Sequence, residues 1–422
     1  MKHRGRHRRR RQGKALRAFL AGTALALTAA ATMISASQAT VASDPGALRP
    51  LASAAETDAL ELREHLQPQR DLDRLADAMG EPAGVSDVLA SADRTLRSAA
   101  DCSAAERRAL PAEPAATRAY CWDAADTRSW RAGAVTTSGD ADDDGLWGAN
   151  RVILSAWSQG SHDLARVAFI DAGDMDRLTY SWVLLTVPVD GGRDYRALDS
   201  QVSGMVWYQD KLLVTAAEGL YVYDMDRVQR TTVDSPAVGR VAGGGWAGHG
   251  YRWVLPAVGS YTLAGGEAAA HPDYISLDRS TSPDSLVASE WVSADADRAV
   301  RLWRYDLGTT SDRAGLLATD PAGYARVNEA YETKTAGVGP VLSYRSDWYL
   351  GRSPDTDGDH GTLWRQNATG AAATQCGTDE SHQCWSTASE SLSYWESTGE
   401  LWSQSGRVLF ALPLASVNRA LG

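Results

Sequence analysis

The chain is poor in the residue types and spacings that mark common catalytic centres. Its 422 residues include only 3 Phe, 4 Cys and 8 His. It contains no His-Glu-x-x-His and no Cys-x-x-Cys spacing, which argues against metalloprotease-like and zinc sites of the usual kind. It also lacks a Gly-x-Ser-x-Gly nucleophile elbow and a glycine-rich phosphate loop that opens a helix. We therefore assign no catalytic residue and do not favour an enzyme.

Long hydrophobic runs are absent beyond the N-terminus. The one extended apolar run covers Ala18–Ile34, after nine Lys or Arg residues and no acid in Met1–Arg17. Small residues at Ser37 and Ala39 offer a cleavage site, so the pattern predicts a secretory signal peptide over residues 1–39. No later run reaches the roughly 18 residues of a membrane span. We expect a secreted, extracellular protein without a span once the signal is removed.

Positive charge is scarce in the predicted mature chain. Without residues 1–39 it has 33 basic and 53 acidic residues, which gives a net charge of −20. Such a surface repels the phosphates of nucleic acids. We therefore expect no nucleic-acid partner, and we expect a monomer.

Four cysteines suit an oxidising compartment, where an even count indicates bridges. The pairing that closes the shortest loops joins Cys102 to Cys121 and Cys376 to Cys384. It leaves no thiol for catalysis.

Residues 40–55 are rich in Ala, Ser and Pro without periodicity, which indicates a flexible lead-in. Residues 56–120 show helical spacing at Leu72, Leu75 and Met79 and again around Val88, with Pro82 dividing the two. This predicts short helices and a connector. So few helices do not make a stable domain, so they either pack on residues 121–422 or form a mobile arm.

Short runs rich in Val, Tyr, Trp and Leu begin at Trp130, separated by Gly, Asp and Ser, which is an all-β pattern. Three such runs inside Met205–Asp224 predict an antiparallel meander. The pattern returns in four other places: Val152–Asp171, Leu286–Leu307, Val341–Gln366 and Leu392–Leu412.

These units start near Val152, Val206, Val287, Val341 and Leu392, in steps of 54, 81, 54 and 51 residues. Meanders repeated at about 40–50 residues are typical of β-propellers. We predict a single β-propeller over residues 121–422, with five blades favoured over six or seven. A two-sheet sandwich is the alternative, but sandwiches usually span only about 100 residues.

One tryptophan recurs at a comparable place in each unit, and this set predicts packing between blades: Trp157, Trp207, Trp291, Trp348 and Trp395.

Four segments resemble a known family: Trp130–Thr136 (W-x-x-G-x-V-T), Gly204–Asp224, Tyr251–Pro256 and Leu392–Leu412. The family comprises uncharacterised secreted β-propeller proteins of high-GC Gram-positive bacteria. The resemblance covers about Trp130 to the C-terminus and implies a secreted propeller. It implies no activity and no catalytic residue.

Two acidic turns carry the alternating spacing of calcium loops. The first contains Asp140, Asp142 and Asp144 followed by Gly145; the second contains Asp355, Asp357 and Asp359. Each is half a site, because the twelfth position is Arg151 or Gln366 instead of the bidentate Glu. Structural Ca²⁺ is one interpretation, and a solvated Asp-rich turn is the other. We assign no other cofactor.

Three tryptophans close to turns, Trp147, Trp246 and Trp364, are candidates to stack on sugar rings or peptide groups. We accordingly predict a binding or scaffolding module for an extracellular glycan or protein. The alternative is a glycan-active hydrolase with paired carboxylates in the central channel, for which Asp171, Glu290 and Glu396 are candidate acids.

Overall fold

The protein is mostly β, with 43% strand and 14% helix. The structure is a computed structural model that describes residues 44–160, 164–266, 269–294, 296, 298–354, 356, 358–377 and 381–421. The predicted β texture is thus confirmed in its coarse form. The predicted signal peptide lies outside the described residues.

The segment before Trp130 alternates short helices with short strands. Its elements are β1 (Arg49–Pro50), α1 (Ala54–Thr57), β2 (Leu62–Leu66), α2 (Gln69–Met79), α3 (Val85–Ala90), β3 (Arg94–Thr95), β4 (Arg97–Ser98), α4 (Ala104–Arg108), β5 (Arg118–Cys121) and α5 (Ala124–Thr127). The helical spacing around Leu72 and Val88 is confirmed by α2 and α3, which bury these residues. The strands were not predicted. Strand β4 pairs with β5 inside this segment. The other four pair with later strands: β1 with Val327–Thr333, β2 with Trp253–Leu263 and Tyr324–Ala325, β3 with Thr179–Val189, and β5 with Val408–Pro413.

The next strands form two antiparallel meanders, which we call sets I and II. Set I and its extensions are β6 (Arg131–Thr137), α6 (Ser138–Ala141), β7 (Val152–Gln159), β8 (Leu164–Asp171), β9 (Thr179–Val189) and β10 (Asp194–Ala197). Set II and its extensions are β11 (Met205–Tyr208), β12 (Lys211–Ala216), β13 (Gly219–Asp224), β14 (Gln229–Arg230), β15 (Val238–Arg240), β16 (Trp246–Gly248) and β17 (Trp253–Leu263). The start of β17 pairs in parallel with β9, which joins the two sets into one sheet.

Three further sets follow. Set III is β18 (Tyr274–Asp278), β19 (Ser285–Ser289), β20 (Val300–Asp306) and β22 (Val327–Thr333), with the short β21 (Tyr324–Ala325) beside it in sequence. Set IV is β23 (Val338–Tyr344), β24 (Asp347–Arg352), β25 (Thr362–Gln366) and β26 (Ala371–Ala373). Set V is β27 (Ser393–Trp395), β28 (Glu400–Ser405) and β29 (Val408–Pro413), followed by α7 (Leu414–Ala420).

The fourth strand of set V comes from the N-terminal segment. Strand β5 pairs antiparallel with β29, placing Ala119 opposite Phe410. Cys121 at the end of β5 forms a disulfide with Cys102, and Cys376 forms one with Cys384. Both predicted pairs are confirmed. The disulfides are compatible with an oxidising, extracellular compartment.

Each strand set buries both of its faces. Neighbouring residues of a strand point to opposite faces, so a strand buried on both sides is continuously apolar. Within the described residues, each set contains two adjacent residues that belong to different apolar clusters. One residue packs in a cluster shared with the preceding set, and its neighbour packs in a cluster shared with the following set. The five pairs are Ile153/Leu154, Leu212/Leu213, Leu286/Val287, Val341/Leu342 and Leu401/Trp402. The cluster that contains Trp402 also contains Ile153, so set V packs against set I.

Four of the tryptophans predicted to pack between units are fully buried: Trp157, Trp207, Trp348 and Trp395. The prediction was wrong for Trp291, which is 54% exposed. This residue follows the end of β19 at Ser289, so it belongs to a loop and not to a strand face.

Candidate functional site

The first acidic turn does not present its three carboxylates to a common point. Asp140 belongs to α6 and is buried, and its Oδ2 accepts hydrogen bonds from Thr136 Oγ1 at 2.6 Å and Ser393 Oγ at 2.8 Å. Asp142 and Asp144 are exposed and accept bonds from backbone N–H groups two residues ahead, as Asp residues in turns commonly do. Calcium at this loop stays a prediction.

The second acidic turn is only partly described. Asp355 and Asp357 lie outside the described residues, and Asp359 is exposed. Among the described residues, one group of three potential ligand side chains comes close together, formed by Cys102, Glu106 and Cys121, and its two sulfur atoms are joined in a disulfide.

The three candidate stacking tryptophans do not lie together on an open surface. Trp246 is buried, stacks on Tyr195 at 5.5 Å and donates from Nε1 to the Ala78 carbonyl. Trp364 is buried with its ring 5.7 Å from His382. Trp147 is half-buried and lies 5.0 Å from Trp207.

A polar groove opens instead where set V meets set I. We call it the Glu390 groove; its volume is about 380 Å³, and it is lined by Thr127, Arg128, Trp130, Arg131, Ala132, Trp157, Glu390, Gly406 and Arg407. These residues come from the connection between β5 and β6, the start of β6, the strand β7, the segment before β27, and the turn between β28 and β29. Arg131 also lines a second cavity of about 230 Å³.

Glu390 is held at the junction by its own backbone and by its neighbours. Its N–H donates to the Gln404 carbonyl, and the Gln404 side chain accepts from Ser155 of set I at 2.7 Å. The adjacent Ser391 hydroxyl accepts the Val135 N–H at 2.7 Å. These bonds fix the backbone at Glu390 between two sets.

Burial raises the pKa of Glu390 from 4.5 to about 7, and the positive charge of Arg131 only partly opposes this. Tyr274, at the start of β18, has its pKa raised by burial and by the charges of Glu390 and Asp273. The charge of Glu390 thus acts on the first strand of set III, as that of Arg131 acts on Glu390. A carboxyl group with such a pKa can exchange a proton near neutral pH.

The aromatic wall of the groove rests on a buried cation. The Arg166 guanidinium lies between two indoles, 3.9 Å from the Trp130 ring and 3.5 Å from the Trp182 ring. The neighbouring Asp126 carboxylate accepts from the Trp182 indole and the Tyr180 hydroxyl, each at 2.8 Å. These contacts hold the connection that carries Trp130 against β9.

The hydrolase candidates named from the sequence lie elsewhere. Glu290 is buried; although burial acts to raise its pKa, hydrogen bonds from Arg301 and Arg298 hold it below the ordinary value. Glu396 is exposed and accepts from the Tyr344 hydroxyl at 3.2 Å, and Asp171 is half-buried and accepts the Gly173 N–H. None of the three lines the Glu390 groove.

Sequence reasoning missed Glu390, Arg131 and Arg407. Glu390 lies in a Ser-rich stretch just before Leu392, where the last repeat unit was placed. The useful signal was positional, because Arg131 begins the first strand of set I and Glu390 lies just before the first strand of set V.

The other end of β6 is closed by α6. All four residues of this turn are buried, and it contacts β6, β11 and β27, which are the first strands of three sets. Strand β6 has seven residues, of which Arg131 is the first, and α6 follows the last, so Arg131 and α6 are separated by roughly 20 Å of strand. The groove and the buried turn therefore lie at opposite ends of this strand.

Comparisons with known proteins do not name a family. No family model and no curated protein matches the chain. Among solved structures, a chain of the Drosophila Plexin A complex with Semaphorin 1b matches at 10% identity, over 66% of this chain and 78% of that chain. The TM-score of 0.23 is too low to support an argument about fold or function. In the described part of the chain, no helix is long and apolar enough to cross a membrane.

Proposed function

We propose that the chain is a secreted, five-bladed β-propeller that serves as a binding or scaffolding module for an extracellular glycan or protein. The observation that carries this proposal is the sequence of shared apolar clusters. In the described residues they link set I to II, II to III, III to IV, IV to V and V back to I. Radial repetition of this kind is how a propeller buries both faces of each sheet.

The origin of β5 supports the same proposal. In the proposed ring, the last blade takes its outer strand from the N-terminal segment, so the chain closes the ring by pairing β5 with β29. The Cys102–Cys121 disulfide ties this strand to the preceding helices. Membership of the bacterial family named above stays part of the proposal.

The Glu390 groove is the proposed binding site. Ligand sites are concave, of about 300–1,000 Å³, and combine apolar walls with a few convergent polar groups. The groove has this size and offers the half-buried Trp130 beside Arg131 and Glu390.

A glycan and peptide array probed with the purified protein tests the proposal. We expect binding to a limited set of ligands, reduced by Arg131→Gln and unchanged by Arg419→Gln, an exposed arginine of α7. Equal binding by both variants would place the ligand elsewhere, and the absence of binding on every array would contradict a binding module.

A second candidate function, an extracellular glycan-active hydrolase, is favoured by one observation. The pKa of about 7 at Glu390 suits a general acid. Such an enzyme also needs a second carboxylate about 5–9.5 Å away. Asp273 is a candidate, because its charge and that of Glu390 both act on Tyr274, but it already accepts the Trp291 N–H at 2.6 Å and contacts His271 at 3.0 Å.

Release of reducing ends from a panel of polysaccharides, compared between the wild type and Glu390→Gln, tests the hydrolase. Release that Glu390→Gln abolishes supports it. No release from any polysaccharide, together with binding on the array, leaves the binding module alone.

A further inference from the structure

We propose that the Glu390 groove binds an acidic oligosaccharide. The carboxylate of the sugar contacts the cationic groups of Arg128, Arg131 and Arg407. This inference rests on the proposed function, because it names the ligand class of the same site. It also predicts that binding is coupled to proton uptake by the protein.

The groove reverses the charge of the chain locally. The predicted mature chain carries a net charge of −20, yet three of the groove residues are arginines, and Glu390 is the one acid among the described residues that line it. All three arginines are exposed, and within the described residues none has a carboxylate within 4.0 Å. Arg131 donates to the neutral Gln201 side chain at 3.1 Å. Exposed guanidinium groups without an ion-pair partner favour a carboxylate ligand, which they bind through paired hydrogen bonds.

The arginines project from separate, well-supported segments. Arg128 ends α5, whose first turn is capped by Asp123, and Arg131 begins β6. Arg407 lies in the tight turn between β28 and β29. Because each position is fixed by a different element, the charges converge on the groove without a flexible loop.

The aromatic lining favours a sugar ring over a peptide. Trp130 is half-buried, and the Arg166 guanidinium covers one face of its indole at 3.9 Å, so the ring is held in place beside the groove. A flat indole next to arginines suits a ring that carries a carboxylate. The groove volume of about 380 Å³ fits one or two such rings in size.

Glu390 couples this binding to pH. Its pKa of about 7 means that it is ionised above neutral pH and would then repel a bound carboxylate. Sugar carboxyl groups have pKa values of roughly 3–4 and stay ionised. The other titratable or charged groups to consider are Arg131 from β6, Tyr274 with the adjacent Asp273, and Arg128 and Arg407, which line the same groove. His271 contacts Asp273; burial lowers its pKa, but the bond with Asp273 raises it above the ordinary value. Affinity should therefore increase as the pH falls from 8 to 6.

Calorimetric titration with oligogalacturonate, the same oligomer fully methyl-esterified, and oligoglutamate tests the inference. We expect oligogalacturonate to bind and its neutral ester to bind at least tenfold more weakly, since a hydrogen bond to a charged group contributes about 1.5–3 kcal/mol. Arg131→Gln and Arg407→Gln should each weaken binding about tenfold, whereas Arg419→Gln should not. Unchanged thermal melting of the variants shows that the fold is intact.

The dependence of binding affinity on pH tests the role of Glu390, because a purely structural role would leave this dependence unchanged. Glu390→Gln should bind as tightly at pH 8 as the wild type does at pH 6, with a flat profile between, whereas His271→Gln should keep the wild-type slope. Ester binding as strong as that of the acid, or oligoglutamate binding as tight as that of oligogalacturonate, would overturn the inference. Binding of neutral glycans or proteins alone on the array would overturn it while leaving the binding module standing.

Discussion

A carboxyl group with a raised pKa lies near each end of β6, and the two groups have different neighbours. At the α6 end, burial raises the pKa of Asp140, and the hydroxyls of Thr136 and Ser393 both donate to it. At the groove end, burial raises the pKa of Glu390, and only the charge of Arg131 opposes this rise.

The difference separates a structural acid from an available one. Asp140 ties α6 to set V through Ser393, and the Thr136 hydroxyl also accepts the Trp207 N–H of set II at 3.0 Å. The hydrogen bonds of Asp140 and Thr136 therefore hold sets I, II and V together. Glu390 lines an open groove and remains available to a ligand.

Removing the Asp140 carboxyl should have the largest effect. Asp140→Ala leaves two buried hydroxyls without their common acceptor, so we expect the free energy of unfolding to fall by about 3 kcal/mol. Asp140→Asn keeps an acceptor and should lose about 1 kcal/mol. Urea unfolding measures both, and equal stability of Asp140→Ala and the wild type would contradict the structural role.

Removing the Glu390 charge should instead increase the free energy of unfolding above neutral pH. The folded-state pKa of about 7 lies above the ordinary 4.5, so its contribution to stability is greatest at acid pH and is lost as the pH rises to about 7. This difference in pKa corresponds to about 3 kcal/mol, and the partial exposure of Glu390 reduces it. Glu390→Gln should therefore be more stable than the wild type by about 2 kcal/mol at pH 8 and equal to it at pH 4. Urea unfolding at the two pH values measures this.

The exposed Glu81 supplies the control for this variant. Glu81→Gln should match the wild type at both pH values. A Glu390→Gln variant that is less stable at pH 8 would assign Glu390 to packing and erase the contrast with Asp140.

Calcium should have the smallest effect. If the ion binds the turns with the weak affinity typical of extracellular sites, millimolar calcium should stabilise the fold by about 1 kcal/mol relative to a chelator. Scanning calorimetry with the wild type and with an Asp142→Asn, Asp144→Asn variant measures the share of the first turn without disturbing Asp140. An unchanged melting temperature would refute calcium at both turns.

Strand content and both disulfides could be predicted from the sequence, because each depends on local signals. Runs such as Lys211–Ala216 contain consecutive Leu and Val residues, and the chosen cysteine pairs close the shortest loops. The pairing of β2 and β5 with distant strands could not be predicted, because both lie in a segment whose local pattern is helical. The exposure of Trp291 depends on β19 ending two residues earlier, and strand ends carry little sequence signal.

The sequence by itself determined which stretches form strands, which cysteines pair and where α2 and α3 lie, since hydrophobic period and loop length act over short distances. Only the tertiary structure decided that Glu390 meets Arg131, because residues 259 positions apart come together solely through the packing of set V on set I. Burial, which raises the pKa of that glutamate, is likewise a property of the assembled sheets.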